Sequence, residues 1–258
     1  MLTIVKTADG SNTIYNPQVG ENYHSKHGAL QESRHVFVNS GLVYFLDKQA
    51  PSKSPPVGET LKETAGAAKV SPSGGDLEGA GRVHTDGTIS ILEVGFGTGL
   101  NFLLSAGLCT AKEINLDYTG IEAYPLSAEM ISETGYDEYM SAPLWQKFIS
   151  SYQKCQDGPV SLNPYCQLQI ANCKLLDFQS EKQFDIIYFD AFAAAYQPEM
   201  WDEKAIGHTL RFLKPGGVFV TYAITGNLKR AVKALGCKVE KAPGAPGKRE
   251  MLRAVKMG

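Results

Sequence analysis

Three acids and a run of glycines take positions along this chain where chemistry could be done. Residues Glu93 to Asn101 read EVGFGTGLN, with Gly95, Gly97 and Gly99 directly after the apolar run TISILEV. Glycine accepts positive φ and carries no side chain, so such a turn lets the backbone pass close beneath a ligand. The dinucleotide fingerprint GxGxxG needs a third glycine where Leu100 stands, and here that glycine comes one residue early. A tight strand-to-helix turn without a ligand is the other reading of this stretch. Two further acids follow apolar runs, Glu122 in TGIEAY and Asp190 in DIIYFDAFAAAYQPEMW.

The spacing GxGxG, with Glu93 two residues before the first glycine, resembles motif I of S-adenosylmethionine (SAM) methyltransferases. In an open α/β sheet, ligands bind beyond the carboxyl ends of the strands, where the strand order reverses. Glu122 then falls at the end of the second strand of that sheet, and its carboxylate can accept both hydroxyl protons of a ribose. Asn172 ends the third strand, where an amide can pair with an adenine edge or simply serve the turn. Asp190 ends the fourth. There it can accept or position a proton of a methyl acceptor, attract a cation, or cap a turn.

The elements that would position these groups begin at Thr88. TISILEV, NLDYTGIE, YCQLQIA, FDIIYFD and VFVTYA read as strands, separated by the helical segments GLNFLLSAGL, PLSAEMISETGYDEYM with PLWQKFISSYQ, and PEMWDEKAIGHTLRFLK. After the helix GNLKRAVKALG, CKVEKA and REMLRAVKM make a final pair. Alternating β and α elements of this kind predict an α/β, Rossmann-like, mostly parallel seven-stranded sheet with an antiparallel last strand, spanning 88–258. Residues 1–48 read as a hairpin around ADG, then a loop and a helix from about Ala29 to Asn39, with LVYFL as a short strand or helix end. Residues 49–87 are rich in Pro, Gly, Ser, Thr and Ala without any aromatic, and read as a flexible low-complexity insertion.

Bulk properties narrow the setting. The chain has 258 residues, 43% hydrophobic and 20% charged, enough for a globular core. No run approaches the length of a membrane span, and MLTIVKTADG lacks a signal pattern, so the expected place is the cytoplasm. The five cysteines form no CxxC pair and are expected as reduced thiols. No metal is expected, since His24 and His27 lack a third ligand. The net charge of −2 conceals a basic end. Nine Lys or Arg fall between Lys229 and Gly258 against Glu240 and Glu250 alone, which points to an anionic partner at one face or to a merely solvated surface.

Together these segments resemble one family, the methyltransferase domain of the bifunctional tRNA 5-methylaminomethyl-2-thiouridine biosynthesis protein. GALQESRHVF is similar to that family's GLEETRYVF, EVGFGTGLNFL nearly repeats its motif, FDAFAAAYQPEMW is similar to LDGFAPxxNPxMW, and LKPGG and GKREML follow in order. The similar segments run from about Tyr23 to Met251. The resemblance implies a class I SAM-dependent methyltransferase that converts 5-aminomethyl-uridine to 5-methylaminomethyl-uridine at the tRNA wobble position. It implies Tyr23, Glu93, Gly95, Phe96, Gly97, Thr98, Gly99, Asn101, Glu122, Asn172 and Asp190 as the SAM-binding set, with Asp190 also catalytic. Phe192 and Tyr196, with Trp201 as a further aromatic, are candidates for stacking on an extruded uridine. Lys229, Arg230, Lys248 and Arg249 are candidates for phosphate contacts with the anticodon stem-loop. Two departures are visible: DAFAA replaces DGFAP, and Asn172 stands where the family carries an acid. Few residues follow REML, so a separate flavin oxidase or other enzyme is expected to supply the amine. An enzyme acting on a small-molecule or protein amine, and a non-catalytic tRNA-binding module, are the competing readings. An aminopropyltransferase would want a second acid in DAFA.

Overall fold

The computed structural model describes residues 1–49 and 87–258. The proposed insertion at 49–87 lies, but for its two end residues, outside the described residues. The N-terminal segment forms a small antiparallel sheet, β1 (Thr3–Lys6), β2 (Asn12–Asn16) and β3 (Glu21–Asn22). The hairpin reading covers the first two strands; β3 is a two-residue addition that carries no period of its own.

The expected helix near Ala29 is present but does not stop at Asn39. It runs as α1 (Ala29–Glu32), widens to an i→i+5 pattern over Ser33–Val43, and closes as α2 (Tyr44–Gln49). LVYFL therefore belongs to a helix. Its buried Val36, Phe37 and Leu42 face the main sheet. A Cβ on Gly41 would stand 2.7 Å from Tyr188 Cε1 and 3.1 Å from Val220 Cγ2, so the helix lies flush on the strands.

The main sheet is built from β4 (Ile89–Val94), β5 (Leu116–Glu122), β6 (Val160–Asn163), β7 (Cys166–Asn172), β8 (Phe184–Phe189), β9 (Leu213–Thr221), β10 (Cys237–Pro243) and β11 (Glu250–Lys256). Its order is β10-β11-β9-β8-β4-β5-β7-β6. The seven expected strands are in place, and β11 pairs antiparallel to β9. An eighth, β6, is added at the edge as an antiparallel hairpin with β7. The strand order reverses between β4 and β8, which pair in parallel although β5 and β7 intervene in sequence.

Helices α3 (Leu100–Ala111), α4 (Ala128–Ser132), α5 (Ala142–Asp157), α6 (Glu203–Leu210) and α7 (Gly226–Ala234) connect the strands. All six residues of β4 are buried, as a strand covered on both faces requires. Alternate residues supply two cores: Ile91, Ile186 and Val218 on one face, Leu92, Ile187 and Phe219 on the other. Two predicted helices prove broken. The PLSAEM segment stops at Ser132 and resumes as a 3₁₀ turn over Tyr136–Tyr139, because Gly135 turns left-handed between them. PEMW is likewise a 3₁₀ turn, and α6 starts only after Asp202, whose carboxylate caps it by accepting from Ala205 N–H at 2.7 Å. Leu213 and Lys214, the last residues of the predicted helix PEMWDEKAIGHTLRFLK, instead open β9, whose register with β8 shifts between Phe184 and Ile186.

Candidate functional site

Gly95, Gly97 and Gly99 leave the end of β4 with φ values of 83°, 52° and 77°, the left-handed region that glycine alone enters freely. The turn is also crowded. A Cβ on Gly95 would lie 2.4 Å from the Asp190 carbonyl oxygen, and one on Gly97 would lie 2.9 Å from Tyr23 Cδ1. The turn is tied down at both sides. Gly95 N–H donates to Ile121 O at 3.0 Å, and Asp190 N–H donates to Val94 O at 2.9 Å. Thus the ends of β4, β5 and β8 meet at one place, as the reversal of strand order requires.

A cavity of about 910 Å³ opens there. Gly95, Phe96, Gly97, Glu122, Asp190 and Phe192 line it, and Tyr23 joins them from the N-terminal sheet. Tyr23 and Phe192 form an edge-to-face pair with centroids 5.0 Å apart. Burial, with the Glu122 charge second, pushes the Tyr23 phenol up to about 12.

Glu122 braces the glycine turn. One carboxylate oxygen accepts from Gly97 N–H at 2.9 Å and the other from Tyr124 N–H at 3.0 Å. A carboxylate has about four acceptor positions, so these backbone donors do not fill it and a ligand hydroxyl can still bond to it. Burial raises its pKa, opposed by the backbone donors.

Asp190 sits at the meeting point of several acids. Its pKa is pushed from 3.8 to about 8, first by burial and then by the Glu32 charge; Asn101 and Lys248 oppose this, and Glu21 adds to it. Glu21 and Glu32 arrive from the N-terminal segment. Glu21 accepts from Ala193 N–H at 2.8 Å, and Glu32 accepts from Ser25 N–H at 2.9 Å. Burial raises the pKa of Glu21 as well. These two acids were not among the candidates from sequence. They precede the first strand of the methyltransferase-like segment by more than fifty residues; Glu21 lies in no motif, and Glu32 lies within GALQESRHVF, a segment that by itself assigns it no role.

Not every candidate reaches the cavity. Glu93, Thr98 and Asn101 are buried at 1%, 1% and 2% exposure beneath it rather than lining it. Gly99 shapes the turn and precedes α3. Asn172 is exposed at the end of β7 and does not line the cavity; Cys173, Lys174 and the 3₁₀ turn Leu175–Asp177 do. Tyr196 is exposed and lies outside the lining. Trp201 is a brace. Its indole N–H donates to Phe192 O at 2.8 Å, its ring packs between Phe189 and Tyr222, and Tyr222 O–H donates to Ala191 O at 2.9 Å. These contacts hold the DAFAA loop where the related motif has DGFAP.

Of the basic candidates, Lys248 is spoken for. It pairs with Glu32 at 2.6 Å and lies 3.8 Å from the Tyr222 ring centroid. Lys229 is half-buried, Arg230 and Arg249 are exposed, and none of the three has a carboxylate partner among the described residues.

Seven of the eight strands, in the order β10-β11-β9-β8-β4-β5-β7 with a glycine turn after β4 and an acid ending β5, have the arrangement of class I SAM-dependent methyltransferases. Residues 137–257 match the profile of a family described as S-adenosyl-L-methionine-dependent methyltransferase. The tRNA 5-methylaminomethyl-2-thiouridine biosynthesis bifunctional protein MnmC of Pseudomonas savastanoi pv. phaseolicola is 32% identical over 180 residues, covering 65% of this chain and 27% of that protein. The MnmC of Paracidovorax citrulli is 26% identical over 254 residues, covering 94% of this chain and 34% of that protein. The chain therefore spans about a third or less of the length of these curated relatives. The crystal structure of MNMC2 from Aquifex aeolicus shares the fold, with a TM-score of 0.67 at 20% identity over 98% of this chain and 70% of that one. Over the segments they cover, these matches make the chain similar to the methyltransferase part of the MnmC proteins, and residues 137–257 match a family that uses S-adenosylmethionine.

The cavity suits that cofactor on its own evidence. It is of the size that holds a drug-sized ligand, its floor is a backbone cradle that a Cβ at Gly95 or Gly97 would fill, and Glu122 keeps acceptor capacity.

Proposed function

We propose that this chain methylates the aminomethyl group on C5 of the tRNA wobble uridine, giving the methylaminomethyl form. The observation that carries the reading is the placement of Asp190. It faces the cavity formed by the glycine turn and Glu122, near the charges of Glu21 and Glu32, a setting that suits an amine able to donate hydrogen bonds to a carboxylate. The similarity along 94% of the chain to a protein named for this tRNA modification supports it.

When bound, SAM supplies a methyl group on a sulfonium, open to in-line displacement by an amine. Gly95, Phe96 and Gly97 would hold its amino acid and ribose, Glu122 the ribose hydroxyls, and Tyr23 would close over the turn. Residues near Asn172, chiefly Cys173 to Asp177, would meet the adenine. Asp190 would receive the acceptor amine, orient its lone pair and take the hydrogen bond of the proton it sheds. The amine is an ammonium in water at neutral pH, and burial favours its neutral form. Orientation alone can supply roughly 7–11 kcal/mol in well-aligned cases, so Asp190 need not be a strong base. Phe192 would pack on the uridine, which an anticodon loop can present unstacked. The aminomethyl group must be made first, by a flavin oxidase or another enzyme.

The test is mass spectrometry of tRNA nucleosides after incubation with SAM and tRNA carrying 5-aminomethyl-uridine at the wobble position. The gain of one methyl at that nucleoside is expected. SAM binding without methyl gain would move the acceptor to a small-molecule or protein amine, and absence of SAM binding would leave a tRNA-binding module.

A further inference from the structure

Beneath the cavity floor runs a chain of buried polar groups that the proposed chemistry does not use. Asn101, on the first turn of α3, donates from Nδ2 to Asp190 Oδ2 at 2.8 Å and to Glu93 Oε1 at 2.8 Å. Tyr118 on β5 donates its O–H to the other Glu93 oxygen at 2.8 Å. Tyr118, Glu93 and Asn101 are 0%, 1% and 2% exposed. The amide thus spends both N–H groups on two acids, and its own oxygen has no partner. Four segments meet in this chain: β4, β5, α3 and the residue after β8.

Such a network is a costly way to fill a core. Apolar residues of similar volume often serve stability as well or better, because buried polar groups must be desolvated. Only one end of the chain opens to the cavity, and that end is Asp190. Fixing Oδ2 through Asn101 leaves Oδ1, which takes no hydrogen bond among the described residues, for the acceptor.

We propose that Asn101 is a positioning residue for methyl transfer, clamped by Glu93 and Tyr118, and that it sets the orientation of the Asp190 carboxylate. The proposal rests on the amine-methylation reading above. The groups that face Asp190 are Glu21 of β3, Glu32 of α1, Glu93 of β4, Asn101 of α3, Tyr118 of β5, Tyr222 after β9 and Lys248 before β11. Of these, Asn101 alone donates a side-chain hydrogen bond to it among the described residues.

The experiment compares the parent with Asn101→Leu and Tyr118→Phe, by steady-state methylation across pH and by the carboxyl carbon resonance of Asp190 in protein labelled at aspartate. Asp190→Asn assigns that resonance. Losing an N–H donor to the charged form should raise the Asp190 titration midpoint in Asn101→Leu. kcat should fall on the order of 10–100-fold and recover partly at higher pH, with KM for SAM within about threefold. Tyr118→Phe should lower kcat less, by about 2–10-fold. A folded Asn101→Leu with unchanged kcat and unchanged Asp190 titration would overturn the proposal. If that variant does not fold, Asn101→Ser, which cannot reach both acids, replaces it with the same expectations. If the parent binds SAM but methylates no amine, the functional reading falls, while the resonance still decides whether Asn101 governs Asp190.

Discussion

Asp190 keeps its proton up to about pH 8, where a free aspartate has long been ionised, and burial is the first cause. A folded-state pKa raised from 3.8 means that the native state resists losing the proton more than the unfolded chain does. Stability from this group is therefore full below about pH 4 and declines as pH rises towards 8. Asp190→Asn should remove that penalty. The variant should match the parent near pH 4 and exceed it at pH 8 by between about 1 and 4 kcal/mol, while methyl transfer falls at least ~100-fold. Denaturant melts at the two pH values check the first part; an equal stability difference at both would refute it. The same proton makes cofactor binding pH-dependent. A sulfonium favours the carboxylate, so binding SAM should expel the proton and tighten as pH climbs from 6 to about 8. S-adenosylhomocysteine has the same amino acid and ribose without that charge, and calorimetry should find its affinity nearly flat over the range once the shared groups are matched. Parallel pH curves for both ligands would show that Asp190 does not sense the sulfonium.

At the scale of elements, what decides the site is how closely strands approach the turn. Gly120, inside β5, is a case with no signal of its own. A Cβ there would stand 2.3 Å from Phe96 Cδ2 and 3.0 Å from its Cβ, so the strand lacks a side chain where the motif's aromatic ring seats. That ring then packs against Phe102 and Phe148 of the core. Gly120→Ala should push Phe96 and the glycine turn into the cavity, costing about 1–3 kcal/mol of stability and weakening SAM binding more than its neighbours' substitutions do. Thermal melts together with SAM titrations read both effects, and an unchanged SAM affinity would separate the seat from the site. The elements differ in how far sequence exposes them. The alternation of strands and helices, the glycine turn, Glu122 and Asp190 are legible because local period and strand ends carry them. The third strand of the small sheet, the β6 edge and the widened helix are not, since two to four residues hold no period and a π-type turn repeats almost like an α-turn. The Glu32–Lys248 pair spans 216 residues, and its meaning exists only in the folded chain. A separation of 172 residues likewise hides Glu21 against Ala193, and nothing in the sequence marks Lys248, a phosphate candidate, as paired with Glu32.

The whole molecule sorts its basic end by edge. Lys241 and Arg253 are paired with Glu250 and Glu240, Lys248 with Glu32, and Lys256 donates to Leu210 O and Leu213 O. Lys229, Arg230, Lys233, Lys238 and Arg249 have no such carboxylate partner among the described residues. Strand direction then divides them. β10 runs parallel to β9, so the turn that holds Arg249 and the first turns of α7 with Lys229 and Arg230 lie at the carboxyl-end edge, beside the cavity. Lys233 ends α7 and Lys238 starts β10, which puts both at the opposite edge. An anticodon loop entering the cavity would meet the first set and miss the second. Lys229→Glu with Arg249→Glu should weaken tRNA binding and make its salt dependence shallower, by about 0.9 in the log–log slope for each phosphate that is no longer neutralised. Lys233→Glu with Lys238→Glu changes the net charge equally. If the loop is placed by geometry, this second pair should leave the slope within error and the affinity nearly unchanged. Equal weakening by both pairs would mean that total charge, and no particular edge, draws the RNA, and the proposed approach over the carboxyl ends of the strands would have to be given up.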